Sequence, residues 1–417
     1  MFLLLRTILL WSVVVFCVSC KQKNNKDSSV SSETTKVEFI ENPSEENSAL
    51  PRLFGSENGL FFSWVETKDT TDFLKYSVLK DASWESVETV TSGTDWFTNW
   101  ADFPVIAENN GSILTNILQR SANGTYTYDI KLNLFSSETQ RWNKNFILHK
   151  DGTKSEHGFV SMQPYGEESF FITWLDGRNT TGGHEGHDQH SSAGAMTLRS
   201  AVVHTDGSIA NETELDSKVC DCCNTAAAIT SKGPIVAYRD RSDEEIRDVS
   251  ILRWENNKWT APQTLGNDAW KIAGCPVNGP AISAIDASVA VAWFTGANEL
   301  PKVYAAFSED NGATFKNPIR MDSSEAVGRV DIALITATEA VVCWLETDGA
   351  QTYIMASKIS DDGEKGEAIE IANIESGRSS GFPQMELYND KLYFAWTEFS
   401  KEKQPFIKMS YLAIEQL

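Results

Sequence analysis

An internal repeat of about 50 residues is the feature of this sequence that most restricts its possible folds. A short apolar run, which usually ends in an aromatic residue, recurs seven times along the 417 residues. The equivalent positions in these runs are Trp64, Asn116, Trp174, Tyr238, Trp293, Trp344 and Trp396. Successive positions are 51 to 64 residues apart, which suits the blades of a β-propeller and exceeds the usual repeat of a solenoid.

Each repeat contains the segments of a four-stranded blade. It opens with a strand of small residues or Pro, continues with the apolar run, and adds a third strand of period-two alternation, as in residues 352–359. A more polar fourth strand follows. Inner strands that are apolar on both faces are typical of blades that pack sheet against sheet. The sequence therefore predicts an all-β fold, a propeller of seven four-stranded blades.

The two ends of the chain predict how the ring closes. The seventh repeat ends at Leu417 soon after its third strand, so the last blade lacks an outer strand of its own. Proteins usually cover such an exposed sheet edge. Residues 36–40 (KVEFI) are strand-like, and we expect them to supply the missing strand. The propeller is thus predicted over residues 36–417.

The N-terminal segment predicts export and lipid attachment. Residues 1–19 carry an apolar run that is too short to span a bilayer and suits a secretory signal peptide. Residues 17–20 (CVSC) resemble a bacterial lipobox, which makes Cys20 the lipidated residue. Residues 20–35 then form a polar, flexible tether. The expected location is the bacterial cell envelope, on its periplasmic side or at the cell surface. The alternative is an ordinary signal peptide with an incidental Cys.

One hairpin carries a family signature. Residues 308–315 (SEDNGATF) resemble the Asp-box, S-x-D-x-G-x-T-W, of sialidase-like propellers, with Phe in place of Trp. The Asp accepts backbone N–H bonds in a tight turn, the Gly takes a positive φ, and the aromatic ring packs beneath. The signature residues are Ser308, Asp310, Gly312, Thr314 and Phe315. In the family this box lies between the third and fourth strands, away from the active site, so it indicates fold rather than catalysis.

The resemblance implies an exo-sialidase-like glycoside hydrolase. Such enzymes use a Tyr nucleophile assisted by a Glu, an Asp acid/base and an arginine triad that binds the substrate carboxylate. The spacing of carboxylates assigns no such pair here. Tyr238 lies beside the predicted site loops, but its repeat equivalents are mostly Trp, which indicates packing. Where sialidases usually have Arg-Ile-Pro, this chain has Pro51, Arg52 and Leu53.

Arginine is concentrated on one predicted face of the propeller. The loops between second and third strands open on the same face as the links between blades, and 7 of the 13 Arg fall in or beside them. Guanidinium groups suit carboxylate, sulfate or phosphate. Trp side chains in these loops can stack on sugar rings. The predicted ligand-binding residues are Arg178, Arg239, Arg241, Asp176, Asp240, Arg329, Arg378, Trp100 and Trp270. Alternatively, these Arg pair with neighbouring acidic residues and tie the loops together.

The overall charge excludes one class of partner. Lys and Arg number 36 against 58 Asp and Glu, which gives a formal net charge of −22. Non-specific binding to nucleic acid requires a basic surface, so we expect no nucleic-acid partner. The expected partners are a glycan or another small anionic ligand, and a membrane through the lipid anchor.

Two groups of residues are candidates for Zn or Cu binding. His184, His187 and His190 are spaced at three residues in a loop insertion, and imidazole suits these metals. Cys222, Cys223 and Cys275 are predicted to lie near the central channel. For the histidines the alternative is a solvated polar loop. For the cysteines the alternatives are a disulfide between Cys222 and Cys275 that joins adjacent blades, and free or vicinally paired thiols.

The sequence thus predicts a lipid-anchored, sialidase-like propeller that binds an anionic glycan on its Arg-rich face, with hydrolysis as the activity that the resemblance implies. Two other classes of function remain open at this point. One is a metal-binding or redox protein of the envelope, based on the Cys and His residues. The other is a non-catalytic interaction scaffold, since propellers serve many functions.

Overall fold

Seven antiparallel sheets make up the structure, and the prediction of a seven-bladed propeller is confirmed. The computed structural model describes residues 37–180 and 194–417. Within these ranges the helical elements are the short 3-10 turns Ala297–Glu299 and Ile414–Gln416. In blades 1 to 6 the chain runs from an inner strand at the channel to an outer strand at the rim.

The first four blades follow one another without crossovers. Blade 1 consists of Ser48–Ser56, Gly59–Lys68, Thr71–Lys80 and an outer strand in two pieces, Ser83–Trp84 and Glu88–Gly93. Blade 2 consists of Ile106–Asn109, Ser112–Arg120, Tyr128–Ser136 and Arg141–Ile147. Blade 3 consists of His157–Pro164, Ser169–Asp176, Thr197–His204 and Ile209–Asp216. Blade 4 consists of Ala226–Thr230, Gly233–Arg239, Val249–Glu255 and the outer pieces Lys258–Trp259 and Gln263–Leu265.

The last three blades complete the ring. Blade 5 consists of Ala281–Ile285, Ser288–Thr295, Lys302–Ser308 and Ile319–Arg320. Blade 6 consists of Glu325–Leu334, Glu339–Thr347, Thr352–Ser360 and Ile369–Ile374. Blade 7 consists of Gln384–Tyr388, Lys391–Phe399, Pro405–Ala413 and, from the other end of the chain, Glu38–Ile40.

The closing strand takes the predicted place. Glu38–Ile40 pairs antiparallel with Pro405–Ala413, and Glu38 lies opposite Tyr411. The Tyr411 hydroxyl donates a hydrogen bond of 2.6 Å to the Glu38 carboxylate. The outer edge of blade 7 is therefore covered by residues from the start of the described chain, as expected from the missing fourth strand.

The repeated aromatic position forms the core between blades. Trp174, Trp344 and Trp396 are fully buried on second strands. Each indole N–H donates to the carboxylate two residues later, over 2.9, 3.0 and 2.8 Å respectively. Buried Trp needs such a partner for its N–H group. In blade 2 the equivalent Asn116 is also buried, and its side-chain oxygen accepts the backbone N–H of Val105.

The Asp-box sequence forms the turn between the third and fourth strands of blade 5. The Asp310 carboxylate accepts the backbone N–H and the hydroxyl of Thr314 over 2.9 and 2.7 Å. The Ser308 hydroxyl oxygen accepts the N–H of Gly312, whose φ of 76° suits a residue without a side chain. Phe315 packs partly buried against the core between blades 4 and 5. The turn is local scaffolding, at the end of the blade opposite the links between blades.

Several predictions concern residues that the structure does not describe. The signal peptide over residues 1–19, the lipidated Cys20, the tether over residues 20–35, and the loop histidines His184, His187 and His190 lie outside the described residues. Within the described ranges, no helix has the length and apolar character needed to cross a membrane.

Candidate functional site

A cavity of about 400 Å³ opens at one end of the central channel. Its walls come from the links between blades and from the start of the third strand of blade 2. These segments meet there because each link crosses from an outer strand back to the next inner strand at the channel. The cavity is lined by side chains that include Trp100, Asp102, Tyr128, Glu156, Asp221 and Arg378.

A single phenolic hydroxyl joins two carboxyl groups in this cavity. Tyr128 Oη lies 3.1 Å from Asp102 Oδ2 and 2.8 Å from Glu156 Oε1. All three side chains are buried. The hydroxyl has one proton to donate, so both contacts are hydrogen bonds only if one carboxyl group keeps its own proton and donates it to Oη. The three groups therefore share their protons.

The surroundings decide which carboxyl group keeps its proton. Burial raises the pKa of Asp102 to about 7, against the opposing effect of the Phe159 backbone N–H, which donates to Asp102 over 2.7 Å. Burial raises the pKa of Glu156 well above its ordinary value, and the charges of Asp102 and Asp221 raise it further. At neutral pH Glu156 is the protonated member. Tyr128, whose pKa burial also raises, donates to Asp102.

A charged carboxylate faces the same cavity. Asp221 lines the wall, and Arg241 Nη1 donates to its two oxygens over 3.0 and 3.3 Å. Arg241 also forms an ion pair with Glu245, over 2.7 Å. The cavity thus contains a neutral carboxyl group, Glu156, and an ionised one, Asp221. That pairing of environments is characteristic of sites that carry out acid–base chemistry.

One edge of the cavity is cationic. Arg378 lines it and is exposed. Arg329 is buried beside it and donates to Ser380 and to the carbonyls of Gly377 and Gly381, all of which are neutral. Burial and the charge of Arg378 lower the pKa of Arg329 to about 10, where it is still charged at neutral pH.

An aromatic surface adjoins this cationic edge. The Arg329 guanidinium lies over the Trp100 ring, 4.8 Å from its centroid. Trp100, half-buried, also stacks on Phe382 and lines the cavity. This edge therefore offers positive charge next to an aromatic face, which is the combination expected for an anionic sugar.

The other predicted ligand-binding residues are engaged elsewhere. Arg178 forms ion pairs with Asp176 and Glu212, each over 2.8 Å. The Asp240 carboxylate accepts from the Ser250 hydroxyl and from the Arg241 backbone N–H. These contacts correspond to the alternative interpretation, in which Arg and acidic residues tie the loops together.

Arg239 and Trp270 form a buried pair. The Arg239 guanidinium donates to the carbonyls of Asn278, Arg247 and Phe294 over 2.9, 2.6 and 2.7 Å. It lies over the Trp270 ring, 4.9 Å from the centroid. Both side chains are buried. Arg239 thus joins blade 4 to blade 5 and does not reach the cavity.

A second buried charge cluster lies between blades 2 and 3. His149 and His157 stack with ring centroids 3.7 Å apart, and Asp151 Oδ2 lies 2.7 Å from His149 Nδ1 and 3.3 Å from His157 Nε2. The pKa of His149 is lowered by burial and further by the charge of His157. The pKa of His157 is raised, because the effects of Asp151 and Asp176 outweigh the lowering by burial. The cluster pairs opposite charges inside the protein.

The described cysteines are all free thiols. Cys222 and Cys275 line the cavity, and Cys223 is buried behind them together with Cys220. The ligand atoms of Cys220, Cys222 and Cys223 lie within 4.8 Å of one another, which is a spacing that could hold a metal ion. The disulfide between Cys222 and Cys275 stays a prediction.

Tyr128, Asp102 and Glu156 are not among the residues predicted from sequence. Asp102 follows the DWFTNW segment of a blade link, and Glu156 precedes the inner strand of blade 3, so both belong to the loop set that was expected to form the site. Tyr128 stands at the start of a third strand. The sequence could show that these residues lie on the predicted site face of the propeller. The spacing of the three residues along the chain does not show that their side chains meet.

The fold is shared with known proteins, but the sequence is not. A scan against protein-family models found no match, and a search of curated proteins found none either. Among solved structures, a Dyadobacter fermentans protein of unknown function is 12% identical with a TM-score of 0.51, over 91% of this chain and 98% of that one.

Two further structural neighbours are named for action on carbohydrates. The polysaccharide lyase Uly1 is 9% identical with a TM-score of 0.51, over 87% of this chain and 89% of that one. The Trypanosoma rangeli sialidase is 10% identical with a TM-score of 0.49, over 90% of this chain and 60% of that one. At these identities the likeness is one of fold.

Proposed function

We propose that the cavity binds an anionic glycan and cleaves one of its glycosidic bonds by acid–base catalysis. The observation that carries this proposal is the buried Tyr128 hydroxyl between Asp102 and Glu156, because both contacts are hydrogen bonds only while one of these carboxyl groups keeps its proton at the wall of a cavity large enough for a sugar. Glycoside cleavage needs a carboxylic acid that is still protonated at neutral pH.

Glu156 is the acid in this mechanism. Its proton goes to the glycosidic oxygen as the bond to the anomeric carbon breaks. Tyr128 then turns its hydrogen bond from Asp102 to the new Glu156 carboxylate, which stabilises the charge left behind. Asp221, held ionised by Arg241, stabilises the positive charge that develops on the sugar and accepts a proton from the water that attacks the anomeric carbon.

The cationic edge supplies specificity. Arg378 is the exposed guanidinium at the cavity, and the buried charge of Arg329 adds to the potential there. Trp100, which lines the cavity beside this charge, provides an apolar contact for the sugar. We therefore propose a substrate with a carboxylate on its terminal sugar, a sialoside or a uronate-containing glycan.

Turnover of fluorogenic sialosides and uronosides tests the proposal. Glu156→Gln keeps the shape of the side chain but removes the acid, so kcat/KM should fall by about 10²–10⁴-fold. Glu386→Gln is a matched control, because burial raises the pKa of Glu386 to about 8 although it does not line the cavity. The control should behave like the wild type.

Two results would contradict the proposed function. One is an absence of turnover and of binding by the wild type across sialosides, uronosides and neutral glycosides. The other is a Glu156→Gln variant with unchanged kcat/KM on a substrate that the wild type cleaves. Arg378→Ala separates binding from chemistry: it should raise KM for an anionic substrate by about tenfold and leave kcat nearly unchanged.

We also propose that the protein is exported and held at the envelope by a lipid on Cys20. The support is the apolar run followed by the lipobox-like residues 17–20 and by a polar tether. A lipid anchor would place the cavity within reach of glycans outside the cytoplasm.

A further inference from the structure

Four thiols come together at the wall of the cavity. Cys220, Cys222 and Cys223 belong to the link between blades 3 and 4, and Cys275 belongs to the next link. Sγ of Cys220 lies 3.2 Å from Sγ of Cys223. Cys275 lines the same cavity as Cys222. We refer to these four side chains as the thiol cluster.

The spacing within the thiol cluster is that of ligands rather than of a single disulfide. A disulfide brings two sulfur atoms to about 2.05 Å. The sulfur ligands of a tetrahedral zinc ion, at Zn–S distances of about 2.3 Å, lie about 3.8 Å apart. The Sγ atoms of Cys220, Cys222 and Cys223 all lie within 4.8 Å of one another, so one ion can contact all three after small movements.

One buried guanidinium group contacts the cluster directly. Arg247 Nη1 donates to Cys220 Sγ over 3.4 Å, while Arg247 Nη2 forms an ion pair with Glu245 over 2.8 Å. A cation beside a sulfur atom favours negative charge on that sulfur. This contact therefore suits Cys220 as a metal ligand.

We propose that the thiol cluster binds a thiophilic d¹⁰ cation, Cu(I) or Zn²⁺. Thiolate is the preferred ligand of both ions. Three thiolates around Cu(I), or four around Zn²⁺, leave two net negative charges, which the buried Arg247 guanidinium beside Cys220 partly offsets. The hard cations Mg²⁺ and Ca²⁺ prefer oxygen ligands and do not suit this site.

The site is accessible to an ion from the cavity. Cys222 and Cys275 line the cavity and are half-buried, whereas Cys220 and Cys223 are buried behind them. An ion can thus first meet Cys222 and Cys275 and then be drawn inward to the buried pair. The thiol cluster uses none of the residues assigned to glycan cleavage, so the two proposals can fail independently.

Metal titration of the reduced, purified protein tests the site. The probes are Cu(I), delivered from a coloured chelator complex, and Zn²⁺ in competition with a chromophoric chelator. The wild type should bind one ion per chain, with a thiolate-to-Cu(I) charge-transfer band in the ultraviolet and an increased melting temperature. Cys222→Ser and Cys220→Ser should each weaken binding by at least about tenfold.

Cys343→Ala is the matched control, because Cys343 is a free, buried thiol in the second strand of blade 6, away from the cluster. It should bind as the wild type does. Failure of the fully reduced wild type to bind either ion would overturn the proposal. Unchanged binding in both cluster variants would overturn it too, as would a Cys220–Cys223 or Cys222–Cys275 disulfide that can be reduced only by unfolding the protein.

Discussion

Replacing Arg239 by Ala should destabilise the propeller and leave ligand affinity almost unchanged. The Arg239 guanidinium donates to three carbonyls, those of Asn278 and Phe294 in or before blade 5 and that of Arg247 in blade 4. It also lies over the Trp270 ring. All of these contacts are buried, so the variant removes a cross-link between two adjacent blades without touching the cavity.

The size of the effect follows from these contacts. A buried polar group that loses its partner costs about 1–3 kcal/mol, and three carbonyls lose a charged donor at once. Water can enter the space left by the long side chain, donate to these carbonyls and so recover part of the lost free energy. The lost contact with Trp270 adds about 0.5–2 kcal/mol. We expect the free energy of unfolding to fall by about 3–5 kcal/mol.

Urea denaturation followed by Trp fluorescence measures this loss, with Arg378→Ala as the control. Arg378 is exposed at the cavity, so its removal should change the free energy of unfolding by no more than about 0.5 kcal/mol. The two variants should thus behave in opposite ways: Arg239→Ala unstable with normal affinity, Arg378→Ala stable with weakened affinity for an anionic glycan. A loss below about 1 kcal/mol in Arg239→Ala would refute the cross-linking role.

Three other predictions address the anchor, the ring closure and the buried histidines. Cys20→Ser should move the protein from membrane to soluble fractions, because a lipid on that residue is the proposed anchor, and unchanged fractionation would argue against it. Deleting residues 36–40 should lower the melting temperature by exposing the edge of Pro405–Ala413, and a melting curve identical to the wild type would contradict this role. His157→Gln should be less stable than the wild type below pH about 6.5, the unfolded pKa. Because the folded pKa of His157 is raised, the difference should shrink as pH rises through it, and a pH-independent difference would exclude this linkage.

Blade number and ring closure follow from patterns that each repeat carries by itself. Trp174, Trp344 and Trp396 recur because each second strand must fill the space between two sheets. The closing strand could be predicted because a blade with three strands leaves an edge that some other segment must cover. These inferences need only local patterning and a count of strands.

The candidate site could not be predicted in the same way. Tyr128, Asp102 and Glu156 come from three separate segments, and their hydrogen bonds depend on the angle at which blades 2 and 3 pack. The concentration of Arg on one face was visible in the sequence, but an Arg looks the same whether it faces a cavity, as Arg378 does, or donates to buried carbonyls, as Arg239 does. Burial separates the two roles, and burial is a property of the assembled ring.

The closing strand also determines the order in which the ring can be completed. Glu38 and Tyr411, which meet at the closure, are 373 residues apart in the chain. During synthesis the first of these residues emerges long before the second, so blades 1 to 6 can assemble while Glu38–Ile40 still lacks a partner. The entropic cost of joining such distant segments is greatest for a fully flexible chain and falls as the blades between them become ordered. We therefore expect closure to be the last step of folding, so that until it occurs the newly made protein presents two complementary strand edges to any neighbouring copy.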